Sequence, residues 1–176
     1  MQKRLLLNNL QIDITIRRLC HQLIENHDDF SNSAIIGIQP RGIYVANRIH
    51  KCLLEILKTS TLKIGSLDVT FYRDDFRRRE IIAPSETKID FLVENLKVIL
   101  IDDVFFTGRT IRAGMDALLD FGRPEKVELL TLVDRRYSRH LPISPDYIGV
   151  QVDTITTEKV KVQWKETDGE DEVWLV

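Results

Sequence analysis

The fold is decided by the stretch Val98-Ile99-Leu100-Ile101-Asp102-Asp103-Val104-Phe105-Phe106-Thr107-Gly108-Arg109-Thr110. Its apolar start indicates a strand buried on both faces of a parallel sheet, and this strand ends in two adjacent carboxylates. A short loop with one glycine follows and opens a helical pattern. Because open α/β sheets bind their ligands at the carboxyl ends of the strands, we expect these groups to face a binding crevice.

The acid pair and the glycine loop offer two different kinds of binding group. Asp102 and Asp103 accept charge-assisted hydrogen bonds of the kind that sugar hydroxyls donate. The backbone N–H groups and the positive dipole end of a helix that opens behind Gly108 favour a phosphate. The alternative is a capped helix behind a strand, with both carboxylates solvated. The order of strand, acids, loop and helix favours a site for a phosphorylated sugar.

Length and composition describe the chain as a whole. Its 176 residues, of which 43% are hydrophobic and 30% charged, predict one soluble globular domain over residues 1–176. No apolar stretch approaches the roughly 20 residues of a membrane span, and the N-terminus lacks the features of a signal peptide. Cys20 and Cys52 fall in helical patterns and imply no disulfide framework, so we expect a cytoplasmic protein with no membrane partner. The net charge of -2 excludes a uniformly basic nucleic-acid binder.

Hydrophobic spacing predicts strands that alternate with helices. Helices are expected over about 11–27, 43–57 and 110–121, and strands over 34–38, 62–72, 97–102, 126–133, 147–152, 160–164 and 173–176. Asp168-Gly169 forms a turn between the last two strands, which makes a C-terminal β-hairpin. The long polar segment from 73 to about 95 has the length of a functional lid. This order predicts an α/β fold with a mainly parallel sheet flanked by helices.

The stretch at 98–110 resembles the phosphoribosyl-pyrophosphate (PRPP) signature of type I phosphoribosyltransferases, which is an apolar strand, two acids and a Thr/Gly-rich phosphate loop. The resemblance implies the type I phosphoribosyltransferase fold with its flexible loop. It also implies that Asp102 and Asp103 hold the ribose hydroxyls and help to place Mg²⁺, mostly through substrate and water. PRPP and its phosphate would then be bound by Val104, Phe105, Phe106, Thr107, Gly108, Arg109 and Thr110.

Two further segments resemble substrate loops of the same family. Gln39-Pro40-Arg41-Gly42 follows a predicted strand and opens a predicted helix, so it repeats the arrangement that binds anions at helix N-termini. It resembles the pyrophosphate loop of the family, in which Pro40, Arg41 and Gly42 contact PRPP. Tyr72-Arg73-Asp74-Asp75 resembles the start of the family's closing loop, with Arg73 on the pyrophosphate. The implied catalytic set is Asp102, Asp103, Arg41 and Arg73.

A narrower resemblance covers nearly the whole chain. It rests on the run from Thr107 to Leu118, on Phe121-Gly122-Arg123-Pro124, on Val133-Asp134-Arg135 and on Leu141-Pro142-Ile143. These segments are similar to the pyrimidine operon attenuation (PyrR) family, whose members combine uracil phosphoribosyltransferase activity with regulatory RNA binding. The resemblance implies that uracil and PRPP react to give UMP and pyrophosphate, without a covalent nucleophile. It further implies a homodimer or homotetramer.

The same resemblance assigns a base pocket and an RNA surface. The base pocket contains Asp134, Arg135 and Ile143, and the surface for the leader mRNA of a pyrimidine operon contains Arg17, Arg18, His21 and Arg139. The loop over 134–143 is one residue longer than is usual in the family and lacks its glycine. Because the PRPP signature does not contact the base, two alternatives stay open. One is an RNA-binding attenuator with little or no enzymatic activity, and the other is a transferase for another base such as hypoxanthine.

Overall fold

The computed structural model describes residues 3–74, 84–154 and 158–176. In chain order its elements are β1 (Arg4–Leu7), α1 (Asn9–His27), β2 (Ser33–Ile38), α2 (Gly42–Leu57), β3 (Lys63–Leu67), β4 (Lys97–Phe105), α3 (Arg109–Leu118), β5 (Lys126–Arg136), β6 (Tyr147–Asp153), β7 (Val160–Gln163), α4 (Lys165–Asp168) and β8 (Glu172–Leu175). Two 3₁₀ turns, Thr70–Tyr72 and Leu119–Phe121, follow β3 and α3. Among the described residues, no helix has the length and apolar character needed to cross a bilayer.

The central sheet contains five parallel strands in the order β3-β2-β4-β5-β6, with β4 in the middle. Neighbouring residues of β4 face opposite cores. Ile99 and Ile101 pack with α1 and α2, whereas Val98 and Leu100 pack with α3. Coverage of both faces explains why this strand is a continuous apolar run in the sequence. The predicted α/β fold with a mainly parallel sheet flanked by helices is therefore confirmed.

A smaller antiparallel sheet joins the two ends of the described chain, in the order β1-β8-β7. The predicted C-terminal hairpin is present as β7 and β8, and its connection contains the short helix α4 before Gly169. The sequence did not predict β1. Only Leu7 of its four residues is buried, and its partner strand lies at the opposite end of the chain.

Two strands extend beyond their predicted ends. β4 continues to Phe105 and β5 to Arg136, because the parallel ladders go on past the predicted positions. The prediction that the central strand ends at Asp102 was therefore wrong. Asp102 and Asp103 both lie inside β4, where the backbone of the neighbouring strands fixes their positions.

β3 is shorter than the strand predicted over 62–72, because the chain turns at Asp68. One carboxylate oxygen of Asp68 accepts hydrogen bonds from the N–H of Thr70 at 3.0 Å and from its hydroxyl at 2.6 Å. The other oxygen accepts the N–H of Ser85 at 3.0 Å. Of the predicted lid, residues 75–83 lie outside the described residues, and Lys88 forms an antiparallel bridge with Ser66 of β3.

Candidate active site

The acid pair lies inside the central strand and is buried, each residue being 9% exposed. The N–H of Asp103 donates to Asp102 Oδ1 at 2.9 Å, and the N–H of Val104 donates to Asp103 Oδ1 at 2.8 Å. Burial raises the pKa of Asp102 well above its usual range, and the nearby carboxylate of Asp103 raises it further. Burial also raises the pKa of Asp103, whereas the positive charge of Arg41 opposes that shift. Two desolvated carboxylates side by side favour a ligand that brings hydroxyl donors or a cation.

The loop behind the acid pair leads directly into α3. Gly108 adopts a positive φ of 91° immediately before the helix, a conformation that favours glycine. It has no side chain with which to cap the helix, and the N–H of Arg109 donates to the hydroxyl of Thr107 at 3.4 Å. The next N–H groups of α3 and the positive end of its dipole face the loop and favour an anion. A Cβ at this position would lie 3.4 Å from the Cβ of Leu141. The loop over 139–143 thus packs against the phosphate loop.

A cavity of about 610 Å³ opens at this end of the sheet. Its volume is in the range of small-molecule sites. The residues that line it are Arg73, Asp74, Asp102, Val104, Phe105, Phe106, Thr107, Gly108, Arg109, Thr110, Ile111 and His140. The structure therefore brings the whole predicted loop from Val104 to Thr110 to one cavity, together with Arg73 and Asp102. Asp74, Ile111 and His140 belong to the lining although they were not in the predicted site.

The second predicted loop, between β2 and α2, packs tightly on β4. A Cβ at Gly42 would lie 2.4 Å from the carbonyl oxygen of Ile101 and 2.9 Å from the Cα of Asp102. Only glycine allows so close an approach at this position. The peptide bond between Gln39 and Pro40, earlier in the same loop, is cis. As a result Arg41 lies beside the acid pair, with its Nε 3.5 Å from Asp103 Oδ2.

Two cationic side chains cover the N-terminal end of α3. Arg73 Nη1 donates to the hydroxyl of Thr110 at 2.8 Å. Arg109 forms an ion pair with Asp74, and its Nε lies 3.5 Å from His140 Nδ1. The segment that begins the predicted lid is therefore tied to the phosphate loop. Asp74 stands beside Arg73 in the sequence, but its partner Arg109 is 35 positions away along the chain, so no local pattern reveals the pair.

Arg135, which was predicted for the base pocket, and Arg139, which was predicted for RNA, each lie on an aromatic ring at or just after the end of β4. The guanidinium of Arg135 lies 3.9 Å from the centroid of Phe106 and that of Arg139 lies 3.8 Å from the centroid of Phe105. Arg139 also forms an ion pair with Asp134. Ile143 packs beside the phosphate loop, 3.6 Å from the Cβ position of Gly108.

Comparison with known proteins places the chain in a family. Residues 4–167 match the phosphoribosyl transferase domain family. A protein of Microcystis aeruginosa named bifunctional protein PyrR is 44% identical over 166 residues, which cover 94% of this chain and 93% of the relative. A protein of Halalkalibacterium halodurans with the same name is 42% identical over 177 residues, which cover 98% and 96%. The chain belongs to the PyrR family.

Solved structures confirm the fold of this PyrR family member. A hypoxanthine phosphoribosyltransferase of Staphylococcus aureus superposes with a TM-score of 0.71 at 19% identity and covers 97% of this chain and 90% of its own. The hypoxanthine phosphoribosyltransferase of Trypanosoma cruzi gives a TM-score of 0.72 at 14% identity, covering 98% and 95%. At such identities the likeness shows the type I phosphoribosyltransferase fold alone.

The four residues that the PyrR resemblance assigned to RNA have different surroundings. Arg17 and His21 are exposed on α1, four positions and thus about one turn apart. Arg18 donates from Nη2 to the carbonyl oxygens of Gly149 at 2.5 Å and Ile148 at 3.3 Å, which fixes α1 to β6. Arg139 lies in the loop behind β5, where it forms an ion pair with Asp134. The contacts described above do not connect it with Arg17 and Arg18 of α1.

Proposed function

We propose that this protein transfers the 5-phosphoribosyl group of PRPP to uracil, with UMP and pyrophosphate as products. One observation carries the proposal. Asp102 of β4 and the N-terminal turn of α3 line one cavity of about 610 Å³, and Asp103 follows Asp102 directly in the same strand. Acceptors for ribose hydroxyls and donors for a phosphate are therefore within reach of one phosphorylated sugar.

The 5′-phosphate is bound by the loop and the first turn of α3. Gly108 allows the backbone to approach the phosphate closely, and the first N–H groups of the helix point along the dipole towards the anion. The hydroxyl of Thr110, which accepts a hydrogen bond from Arg73, adds a side-chain donor. Asp102 and Asp103 accept the hydroxyls of the ribose.

The donor set of the acid pair fits Mg²⁺. Its carboxylate oxygens are hard ligands, and no group of three or more His, Cys, Asp or Glu in the described ranges forms a metal cage. Mg²⁺ is commonly held by one or two carboxylates together with water and substrate oxygens. When bound, the ion offsets the charge of the pyrophosphate.

Transfer breaks the bond between C1′ and the pyrophosphate oxygen and forms a bond from C1′ to N1 of uracil, and the N1 proton passes to the departing pyrophosphate or to water. Arg41 lies beside Asp103 and Arg73 lies on the phosphate loop, so both cations flank the place where charge develops on the leaving group. The acids fix the ribose, which orients C1′ towards the base. Asp134 accepts hydrogen bonds from Arg139 and from Gln151 Nε2 at 3.2 Å, and thereby orders the loop that encloses the base.

The experiment is an assay with Mg²⁺, PRPP and a panel of bases, in which nucleotide and pyrophosphate are measured. We expect UMP from uracil and loss of product in Asp103→Asn. The matched control is Asp116→Asn, which changes an exposed carboxylate on α3. Product with hypoxanthine and none with uracil would overturn the base assignment. UMP binding without any product would overturn the transferase and leave the RNA-binding attenuator.

A second role is favoured by the word bifunctional in the names of relatives 44% and 42% identical to this chain. We propose that UMP promotes binding of the leader mRNA of a pyrimidine operon to an oligomer of this chain, through Arg17 and His21 on the exposed side of α1. Because RNA affinity depends on phosphate neutralisation, Arg17→Gln should weaken binding and reduce its salt dependence. Titration of leader RNA with and without UMP tests this role. Sedimentation tests whether the oligomer is a dimer or tetramer.

A further inference from the structure

Arg41 has three partners, which lie on three different elements, β4, β7 and α4. Its Nη2 donates to Asp168 Oδ2 at 3.1 Å and to the carbonyl oxygen of Val162. Its Nε lies 3.5 Å from Asp103 Oδ2. Among the described residues, Nη1 of Arg41 has no hydrogen-bond partner. The small sheet and α4 therefore occupy Nη2 of Arg41, and Asp103 faces Nε. Nη1 is left for a ligand.

Asp168 is held firmly before it meets Arg41. Its Oδ2 accepts the N–H of Trp164 at 3.0 Å and the hydroxyl of Thr167 at 2.9 Å. Three contacts lower the pKa of Asp168 to about 2. The hydrogen bond from the N–H of Trp164 contributes most, and those from the hydroxyl of Thr167 and from Arg41 contribute less. The carboxylate is therefore charged at any pH at which the protein works, and its orientation is set by the turn of α4.

The turn that carries Asp168 is itself fixed to α2, the helix that begins directly after Arg41. Trp164 is fully buried, and the guanidinium of Arg48 lies 4.5 Å from its ring centroid. Arg48 donates to both carboxylate oxygens of Glu166 at 3.0 Å and to Asp171 Oδ1 at 2.7 Å. Three ion pairs, two from Arg48 of α2 and one from Arg41 of the loop before it, thus fix the small sheet and α4 against the pyrophosphate loop.

We propose that Asp168 is a positioning residue of the transferase site, which holds Nη2 of Arg41 so that Nη1 faces the pyrophosphate of PRPP. This inference rests on the proposed function. Arginine has several rotatable bonds, and a guanidinium that is fixed in advance loses less conformational entropy when the ligand binds. The acid pair alone would draw Arg41 towards Asp103, whereas Asp168 on α4 binds the guanidinium from the other side.

The test is a double-mutant cycle on PRPP binding. Four proteins are compared: wild type, Asp168→Ala, Arg41→Ala and the double variant. For each, calorimetry gives the Kd for PRPP with Mg²⁺, and steady-state UMP synthesis gives the KM values for PRPP and uracil. Asp168→Ala should raise both Kd and KM for PRPP roughly 3- to 10-fold, the usual net effect of one hydrogen bond, and leave the KM for uracil unchanged. In the Arg41→Ala background the same substitution should have no further effect.

Two further variants separate positioning from folding. Asp168→Asn keeps an acceptor for the N–H of Trp164 but removes the charge that faces Arg41, so it should melt like wild type and bind PRPP as weakly as Asp168→Ala. Glu170→Gln removes a charge from an exposed position two residues further on, and Glu170 is not a partner of Arg41. Its PRPP affinity should equal that of wild type.

Unchanged PRPP affinity in both Asp168 variants would overturn the inference, and so would an effect of Asp168→Ala that persists in full when Arg41 is absent. Tighter binding in Asp168→Ala would show instead that this carboxylate competes with pyrophosphate for Arg41. A wild-type protein that binds PRPP but forms no nucleotide with any base would refute the proposed function alone. The binding cycle would still decide the role of Asp168.

Discussion

The guanidinium of Arg139 lies over the ring of Phe105, with 3.8 Å between its central carbon and the ring centroid. The same side chain pairs with the carboxylate of Asp134 and donates to the carbonyl oxygen of Arg135 at 2.9 Å. Arg139 thus connects the loop behind β5 with the end of β4 beside the cavity. Together with the N–H of His140, which donates to the carbonyl oxygen of Thr107 at 3.0 Å, this side chain fixes the loop over 134–143.

Arg139→Lys is therefore expected to weaken uracil binding. Lysine keeps a charge for Asp134 but loses the flat stacking on Phe105 and the multiple donors of the guanidinium. We predict a rise of about ten-fold in the KM for uracil, with little change in the KM for PRPP, measured by steady-state kinetics. The control is Arg112→Lys, an exposed arginine of α3 paired with Asp116. Equal effects on both substrates would show that the loop does not serve the base specifically.

Gly42→Ala is expected to displace the pyrophosphate loop. The new Cβ would lie 2.4 Å from the carbonyl oxygen of Ile101, so the backbone that carries Arg41 has to move. Overpacking of this kind costs roughly 1–3 kcal/mol, and the KM for PRPP should rise by at least ten-fold. Gly114→Ala is the control, because the nearest atoms to its Cβ would be side-chain atoms, Cδ1 of Ile38 at 3.2 Å and Cδ1 of Leu100 at 3.8 Å. A Gly42→Ala enzyme with wild-type kinetics would contradict the assigned role of this loop.

Local patterns predicted the central sheet but not the contacts that complete the site. The strands β2, β4 and β5 are buried on both faces, so each is visible in the sequence as a continuous apolar run. The glycine loop before α3 is equally local. The pairing of Arg41 with Asp168, in contrast, joins residues 127 positions apart, and no short window of sequence contains both.

His27 illustrates the same limit. The helical pattern of α1 predicts an ordinary helix position, yet the side chain is buried. Its Nε2 lies 2.7 Å from Glu128 Oε2 and its Nδ1 lies 2.8 Å from the hydroxyl of Ser33. The burial of His27 depends on a partner in β5 that only the folded chain brings near.

This cluster predicts a pH-dependent stability. Burial lowers the pKa of His27, although the charge of Glu128 opposes the shift. The unfolded chain takes up this proton near pH 6.5, and the folded chain takes it up only at lower pH. The contribution to stability is therefore fully present above about pH 6.5 and is lost as the pH falls below it, by at most about 1.4 kcal/mol per pH unit.

Thermal or urea unfolding between pH 8 and 5 measures this slope. His27→Gln, which cannot be protonated, should flatten it, whereas His21→Gln on the exposed side of the same helix should leave it unchanged. The raised pKa values of Asp102 and Asp103 act in the opposite sense and are common to all three proteins. A stability difference between wild type and His27→Gln that grows on acidification would contradict the direction of the shift of His27.

Arg48→Met is expected to loosen the small sheet from α2. Methionine keeps the apolar stem but loses the hydrogen bonds to Glu166 and Asp171, which leaves the partly buried Asp171 without its cation. We predict a loss of roughly 1–3 kcal/mol in the free energy of unfolding. Because the turn of α4 also carries Asp168, the Kd for PRPP should rise as well. Lys51→Met, at an exposed position on the same helix, is the control for both measurements. If Arg48→Met melts earlier but binds PRPP as tightly as wild type, the turn keeps Asp168 in place without Arg48.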